Sequence, residues 1–444
     1  MKKFTLPFLL PLLLCPALPA LGMDFIQAWE LALAQDPQYQ GARFSAQSKQ
    51  ENIAIAKGRL LPTVNFTDFS SLNNQESTNL SLNTTIRQNY TAHRATLSIE
   101  QPIFRMDRYY GLKGAESEAA AATQFLANEL QATVTRVATA YFDTLLAREK
   151  HENIQNRTKF FRSSLALAQK GFQHGQATRT DIEDAKSRLD TALADEIEAK
   201  NRILFAEQSL AAVIGSLVPA SDLQPIDAGR LPIDTITVPS LPEWISMAKT
   251  NNPEILAVSH NLDAASQEIK RRRAGHYPTL DLVARKSIAR SDVEYTVGNQ
   301  YYTDLIGVQL AVPLFAGGGT EASVRQSVAD HEKTRYQLEA TIRKNDVEIS
   351  RLYAIVTQGV SRIKALEQAL ISSREAIKGN QKGVQAGTRN IVDVLNAEQQ
   401  FFITQSNLTE ARHVYVVSLL KLKAAAGMIG EADIREVNSW LSRS

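Results

Sequence analysis

The sequence lacks several features that would point to particular functions. Its only cysteine, Cys15, lies in an N-terminal segment typical of an export signal, so the exported chain has no disulfide, thiol nucleophile or thiolate metal site. The 49 basic and 47 acidic residues nearly balance, which gives no indication of nucleic-acid binding. No later apolar run approaches the ~20 residues that a membrane-spanning helix requires. If the exported chain enters a membrane, we therefore expect β-strands there.

The first 22 residues are predicted to be a signal peptide. Lys2 and Lys3 form a positive start, an apolar stretch follows, and small residues ending at Gly22 form a cleavage site. The mature chain is expected to begin at about Met23. A lipoprotein anchored at Cys15 is the alternative, but leucines precede that cysteine where small residues are required.

Proline is unevenly distributed, and its positions reveal an internal repeat. Four motifs recur in the same order at nearly constant offset: Gln-Asp-Pro-Gln from Gln35 and Asn-Asn-Pro-Glu from Asn251, Leu-Pro-Thr-Val from Leu61 and Tyr-Pro-Thr-Leu from Tyr277, Gln-Pro-Ile-Phe from Gln101 and Val-Pro-Leu-Phe from Val312, Gly-Phe-Gln-His-Gly from Gly171 and Gly-Val-Gln-Ala-Gly from Gly383. The order predicts a duplicated unit. We divide the chain into a first repeat (23–215), a Pro-rich connector (216–242), a second repeat (243–428) and a C-terminal tail (429–444).

Two stretches without proline, residues 103–218 and 314–444, are free to form long helices, because an interior proline costs about 3 kcal/mol. One long helix is predicted from about Asp107 to Lys170, ~95 Å at 1.5 Å per residue, and another from about Thr320 to Lys382. Shorter helical segments, two per repeat, add up to a similar length: Asp24–Gly58 with Arg179–Gly215, and Glu243–Gly275 with Asn390–Ala426. Such matched lengths favour an even-walled layer of helices, whereas an ordinary helical bundle does not require them.

Alternating apolar and polar residues predict two hairpin strands in each repeat. The strands are expected around Val64–Phe69, Ala95–Ile103, Leu280–Ala284 and Ile306–Leu314. Polar tips at Asn73–Thr91 and Ser291–Tyr301 are expected to be external loops. Aromatic residues expected near the strand ends would form a membrane-interface girdle; they are Tyr90, Tyr295, Tyr301, Phe104 and Phe315.

Four strands are too few to close a barrel by themselves. An open edge in lipid leaves unpaired backbone groups, each of which costs several kcal/mol. Two copies of the chain would give eight strands with a filled bore, whereas three copies would give twelve and begin to leave a channel. The strand number therefore favours a homotrimer.

Gly387–Ala397 (Gly-Thr-Arg-Asn-Ile-Val-Asp-Val-Leu-Asn-Ala) resembles the second-repeat motif of the TolC family of outer-membrane channel-tunnel proteins, and Gly175–Ala185 resembles the first. Val312–Phe315, followed by three glycines, is another shared feature. The resemblance covers about Asp24 to Gly427. It implies a mainly α-helical fold with a β-barrel portion and internal duplication, in which long helical hairpins form a trimeric α-helical barrel continuous with a shared 12-stranded transmembrane β-barrel.

The resemblance also implies a function without catalysis. The chain would be the exit duct of a tripartite export system in the Gram-negative outer membrane, with its helical tunnel in the periplasm. Its partners would be a periplasmic adaptor, an inner-membrane ABC or RND transporter and outer-membrane lipid, with no cofactor, metal or nucleic acid. Polypeptide cargo, passed by type I secretion, is favoured over small molecules from a proton-driven multidrug pump. A periplasmic adaptor is disfavoured because the chain lacks a lipoyl-like β-domain, and a secreted enzyme because it lacks a catalytic constellation.

Family resemblance finally implies roles for residues at the periplasmic tip. Asp393 and Asn396 correspond to the positions that narrow the pore, although a second acidic residue is common at the latter. The contacts that hold neighbouring helix pairs together correspond to Arg389, Thr180 and Asp181. The tip turns that dock the adaptor contain Gly171, Gly175, Gly383 and Gly387. For Asp181 and Asp393 the alternative role is stabilisation of a helix N-terminus, worth under ~1 kcal/mol each.

Overall fold

The computed structural model describes residues 22–175, 177–232, 239–291, 293 and 296–442. The predicted signal peptide, except for Gly22, lies outside the described residues, as do Tyr295 and residues 233–238 of the predicted connector. Within the described ranges, none of the helices combines the length and apolarity that crossing a membrane requires.

The described residues form nine α-helices and four β-strands. In chain order they are α1 (Phe25–Gln35), α2 (Pro37–Gly58), β1 (Thr63–Asn79), β2 (Thr84–Phe104), α3 (Met106–Gln173), α4 (Arg179–Ile214), α5 (Leu241–Asn251), α6 (Pro253–Arg273), β3 (Thr279–Arg290), β4 (Gln300–Ala311), α7 (Gly319–Gln385), α8 (Ile391–Ala425) and α9 (Glu431–Ser439). The fold is therefore mainly α-helical with a sheet portion, as predicted.

The internal duplication is confirmed by the order and the lengths of the helices. The succession from α1 to α4, with a hairpin between the second and third helices, recurs from α5 to α8. Corresponding helices have 11 and 11, 22 and 21, 68 and 67, and 36 and 35 residues. The predicted tail contains α9, which has no counterpart in the first unit.

One expectation about the short helices was wrong. The segments expected as single helices before each hairpin are divided at Pro37 and Pro253, each of which begins a new helix. Proline has no N–H and forces the preceding residue into an extended conformation, here at Asp36 and Asn252. Those two side chains then cap the new helices, accepting hydrogen bonds from the N–H groups two residues later at 2.9 and 2.8 Å.

The four strands form one antiparallel sheet in the order β1-β2-β3-β4, so that β1 and β4 are its edges. The first hairpin is longer than predicted, because most of the polar segment expected as an external loop is paired, up to Asn79 opposite Thr84. Cross-strand side-chain contacts stabilise this polar pairing; one is the Arg87–Glu76 ion pair at 2.9 Å. Polar composition alone therefore did not mark the end of the strands.

The fourth strand ends earlier than predicted. β4 stops at Ala311, two residues before Pro313, which cannot donate a backbone hydrogen bond to the sheet. Phe315 consequently lies beyond the strand, and Tyr90 lies within β2 rather than at its end. The expected girdle at the strand ends is thus wrong for these two aromatic residues, whereas Phe104 and Tyr301 do lie at strand ends.

The main apolar core surrounds the middle of the long helices, where α1, α5 and α9 pack against α3, α4, α7 and α8. Phe25 of α1 contacts the rings of Tyr141 and Phe142 on α3, with centroids 5.8 and 5.6 Å apart. Asn438 of α9 accepts a hydrogen bond from the backbone N–H of Phe25 at 3.0 Å. The two ends of the described chain are therefore joined beside the core, away from the sheet and from the turns at the far ends of α3 and α7.

Candidate functional site

The predicted tip residues surround two turns, one after each long helix. We call residues 171–181, between α3 and α4, the first tip, and residues 383–393, between α7 and α8, the second tip. In each tip the second glycine adopts a left-handed backbone, with φ of +69° at Gly175 and +74° at Gly387. A residue with a Cβ is strained there. These glycines therefore reverse the chain direction at the helix C-terminus.

The first glycine of each tip has a different role. Gly171 and Gly383 lie in the last turn of their helices. A Cβ at Gly171 would lie 3.2 Å from the Cβ of Ala177, and one at Gly383 would lie 2.6 Å from the Cγ of Arg389. The lack of a side chain thus allows the returning chain to pack closely against the helix end, more tightly in the second tip than in the first.

Both tips begin their second helix with a capping box. In the first tip the Asp181 carboxylate accepts a hydrogen bond from the N–H of Thr178 at 2.7 Å, and the Thr178 hydroxyl accepts one from the N–H of Asp181 at 3.2 Å. Asn390 and Asp393 make the equivalent bonds at 3.2 and 2.9 Å. The predicted position of both aspartates in the first helical turn is confirmed. Each carboxylate therefore stabilises a helix N-terminus, whatever further role it has.

Arg389 lies beside the second capping box. Its Nη1 atom is 3.9 Å from Oδ2 of Asp393, one turn further along. Within the described chain no hydrogen bond or ion pair joins Arg389 to Thr180 or Asp181. The role of these three residues in holding neighbouring helix pairs together stays a prediction. The arginine side chain is 59% exposed, which leaves it available for such a contact.

Asn396 has a partner that the sequence did not reveal. Arg188 of α4 donates a hydrogen bond from Nη2 to the Asn396 Oδ1 atom at 2.7 Å and another from Nη1 to Gln399 Oε1 at 2.5 Å. One arginine therefore joins α4 to α8, a short distance beyond the two tips. The available sequence signal was weak: Arg188 follows Asp181 by seven residues, or two helical turns, which places it on the same side of α4.

Above the tips, α3, α4 and α8 enclose a small apolar core. It consists of Phe161, Ala185, Leu189, Ala192 and Leu395. Glu398 of α8 is also buried, with 8% of its surface exposed, and burial raises the pKa of its carboxyl group. A buried carboxylate without a cationic partner weakens the packing of this region at neutral pH.

Polar contacts continue the interface between α3 and α8 toward the main core. The Asn153 side chain donates a hydrogen bond to the backbone oxygen of Phe402 at 3.0 Å. Lys150 Nζ lies 2.7 Å from a carboxylate oxygen of Glu410. This hydrogen bond to Lys150 lowers the pKa of Glu410. The pair formed by α3 and α4 is thus joined to the pair formed by α7 and α8 at several points along α8.

The described residues of the tips include groups suited to holding helices together and to attracting cations. Across the described residues, no group of three or more His, Cys, Asp or Glu side chains is placed to hold a metal ion. The predicted gate residue Asp393 is partly exposed, with 34% of its side chain accessible. Its carboxylate is therefore accessible from outside the described chain.

Comparison with known proteins agrees with this geometry. Residues 28–216 and 244–428 each match the family described as outer membrane efflux protein. The chain is 29% identical to the proteases secretion protein PrtF of Dickeya chrysanthemi, over 95% of this chain and 92% of that protein. It is 30% identical to the alkaline protease secretion protein AprF of Pseudomonas aeruginosa, over 94% of this chain and 87% of that protein.

The fold is also similar to a solved structure. A crystal structure of CusC, studied for its folding and transmembrane channel formation, superimposes with a TM-score of 0.80 at 18% identity, and covers 92% of this chain and 93% of CusC. Similarity at this level of identity concerns the fold. Together with the family match, it confirms the resemblance that the repeated motifs indicated.

Proposed function

The chain belongs to the outer membrane efflux protein family, and we propose that it is the outer-membrane exit duct of a tripartite export system. Three copies would share a 12-stranded β-barrel, which the α-helical barrel continues into the periplasm of a Gram-negative cell. The observation that carries this proposal is the open sheet, whose edge strands β1 and β4 lack a second neighbour within the described chain. In lipid, unpaired edges are too costly to persist, so pairing of β1 with β4 of the next copy would satisfy both.

The proposed gate lies at the tips. Three copies of Asp393 around the axis would repel one another and attract cations, more strongly as water is excluded. Asn396 would line the same region, although its amide is engaged by Arg188. Arg389 would contact Thr180 and Asp181 of a neighbouring helix pair and so hold the gate narrow. The capping boxes would keep the aspartates at a fixed height.

The proposed partners follow from the two ends of the molecule. The turns containing Gly171, Gly175, Gly383 and Gly387 would dock a periplasmic adaptor, which connects the duct to an inner-membrane transporter. The sheet would contact outer-membrane lipid. The chain would act without catalysis or a cofactor. It would consist of a signal peptide (1–22), two repeats (23–215 and 243–428), a connector in the equatorial region (216–242) and a tail (429–444).

For the cargo we propose an unfolded polypeptide, delivered by an ABC transporter in type I secretion. Support comes from the names of PrtF and AprF, both of which concern protease secretion. An outlet for small molecules from a proton-driven RND-type pump is the alternative, because the geometry of the tips does not distinguish the two cargoes.

The cargo proposal is tested by replacing PrtF in Dickeya chrysanthemi with this chain and measuring protease activity in the medium. Restored extracellular protease is expected, and a version lacking residues 1–22 is the control that should not restore it. A second outcome is that the chain reaches the outer membrane and increases tolerance to toxic small molecules, while the protease is retained in the cells. This outcome would contradict type I secretion and favour the efflux outlet. Absence of both activities would contradict the exit duct itself.

A further inference from the structure

The two faces of the sheet differ in chemistry. One face carries a group of apolar residues that are between 39% and 83% exposed, beside the polar Asp68, His93, Lys286 and Asp304; the apolar residues are Val64, Phe66, Leu97, Ile99, Leu282, Ile306, Val308 and Leu310. We call this the outer face, because it suits contact with lipid. Alternate residues form the opposite face, which we call the bore face; it is mainly polar or small and includes Asn65, Thr67, Thr96, Ser98, Ser287, Thr303, Gly307 and Gln309. The apolar exceptions on that face include Phe69, Val283 and Leu305.

Arg285 lies on the bore face in the middle of the sheet. The strand register places it opposite Ser98 of β2 and Leu305 of β4. It is exposed, and within the described residues it makes no hydrogen bond or ion pair. The next residue, Lys286, points to the outer face, where its Nζ atom lies 3.0 Å from Asp304. Of these two adjacent cations, Lys286 is therefore paired on the outer face, whereas Arg285 has no partner on the bore face among the described residues.

The bore face also contains two acids that could neutralise Arg285, but other arginines already contact both. Asp281, four residues before Arg285 on the same strand, accepts two hydrogen bonds from Arg105, at 2.9 and 2.6 Å. Glu100 is opposite Val283 and therefore diagonal to Arg285, about 7–8 Å away between Cα atoms. Its carboxylate instead lies 3.8 Å from Arg108. Both acids are thus directed toward the start of α3.

The charge on the bore face is therefore positive at mid-sheet. Rings of arginine or lysine select anions in pores. Narrow, low-dielectric walls also strengthen the attraction of a charged ring for ions of the opposite sign.

We propose that Arg285, repeated around the shared barrel, forms a binding site for multivalent anions in the bore. This inference rests on the proposed function, which brings three copies of the residue around one axis. It assigns the two ends of the duct opposite preferences: Asp393 at the tip attracts cations, whereas Arg285 in the sheet retains anions. Anionic cargo or solutes would accumulate at the barrel before release.

The test measures current through the full mature protein in planar lipid bilayers. Ferrocyanide, with four negative charges, is added to one side and then to the other at low salt, where screening is weak. Block is expected from the side that exposes the barrel. Arg285→Gln should weaken the block at least about tenfold, equivalent to about 1.4 kcal/mol, and Arg285→Lys should largely retain it.

Lys286→Gln is the matched control, since it removes the same charge from the adjacent residue on the opposite face. Ferrocyanide should block the Lys286→Gln channel as strongly as it blocks the unchanged protein. Equal block in the Arg285→Gln protein would overturn the site, and so would loss of block in the Lys286→Gln protein, because a general charge effect would then explain both. Normal channel steps without any block would overturn the site alone, whereas absence of channel steps from every protein would overturn the proposed duct as well.

Discussion

The two repeats have nearly equal helices but unequal hairpins. Corresponding helices differ by at most one residue, whereas β1 and β2 have 17 and 21 residues and β3 and β4 have 12 each. The long helix α3 packs on α6 and α8 of the second repeat, so a change in its length would misplace the turns of both repeats. The first hairpin extends past the last β2–β3 pair, His93 with Arg290, and beyond that pair the described residues provide no neighbouring strand to match. Lengths are therefore conserved between the repeats where the elements pack on each other.

In each repeat the glycine after the last helix lies close to the end of the first helix, but the two contacts differ in rigidity. Gly215 and Gly427 follow α4 and α8 with φ of +76° and +74°. A Cβ at Gly215 would lie 1.9 Å from the flexible end of the Gln35 side chain, whereas one at Gly427 would lie 2.2 Å from the backbone oxygen of Asn251. The same contact is thus adjustable in the first repeat and fixed in the second.

Alanine at these two glycines should show the largest difference between the repeats. Gly427→Ala is expected to cost more than about 3 kcal/mol, because left-handed strain is added to a clash with backbone. Gly215→Ala should cost about 1–2 kcal/mol, since Gln35 can move away. Melting temperatures of the purified proteins, with Gly387→Ala as a control for strain in open space, would measure this. Equal losses at Gly215 and Gly427 would contradict the difference in rigidity.

The two capping aspartates are expected to differ in their effect on the channel. Asp393→Asn should weaken block of the channel by a multivalent cation about tenfold, equivalent to about 1.4 kcal/mol, because it removes charge from the proposed gate. Asp181→Asn should leave the block nearly unchanged. Both substitutions retain an oxygen that can accept the capping hydrogen bond, so any loss of helix stability should be similar in the two variants. Equal effects in bilayer recordings would show that the two tips do not differ in their exposure to the pore.

A smaller effect is expected from the arginine that joins the repeats. Arg188→Ala removes hydrogen bonds between α4 and α8 and should cost about 1 kcal/mol. Arg202→Ala is the control, because Arg202 contacts Glu198 within the same helix and both side chains are exposed, a pair worth at most about 0.5 kcal/mol. Hydrogen exchange should accelerate at the start of α8 in the first variant only. Acceleration confined to α4 would contradict a link between the repeats.

The smallest effect is expected from the buried carboxyl group of Glu398, whose counterpart at the same offset in the first repeat is the exposed Lys186. Burial raises the pKa of Glu398, so the folded state binds its proton more tightly than the unfolded state. Stability should therefore fall as pH rises from the unfolded pKa through the folded pKa, and become constant above it. Glu398→Gln should remove this fall in melting curves recorded between pH 4 and 8. An unchanged pH dependence would assign it to other groups.

Features encoded by nearby residues were predictable from the sequence. The duplication, the long helices, the tip glycines and the capping aspartates all depend on short motifs or on the absence of proline. Strand ends were less predictable, because the polar pairing of β1 with β2 depends on a partner strand rather than on composition. The contact of Arg188 with Asn396 joins residues 208 positions apart, and no local pattern marks it. The bore-face charge required the register of all four strands.

The most direct test of the account is the symmetry of the mature protein, extracted from outer membranes in mild detergent and imaged by electron microscopy. We expect tubes with three-fold symmetry, longer than the ~95 Å of one long helix, and a particle mass three times that of one chain. Single chains, or particles without three-fold symmetry, would contradict the shared barrel.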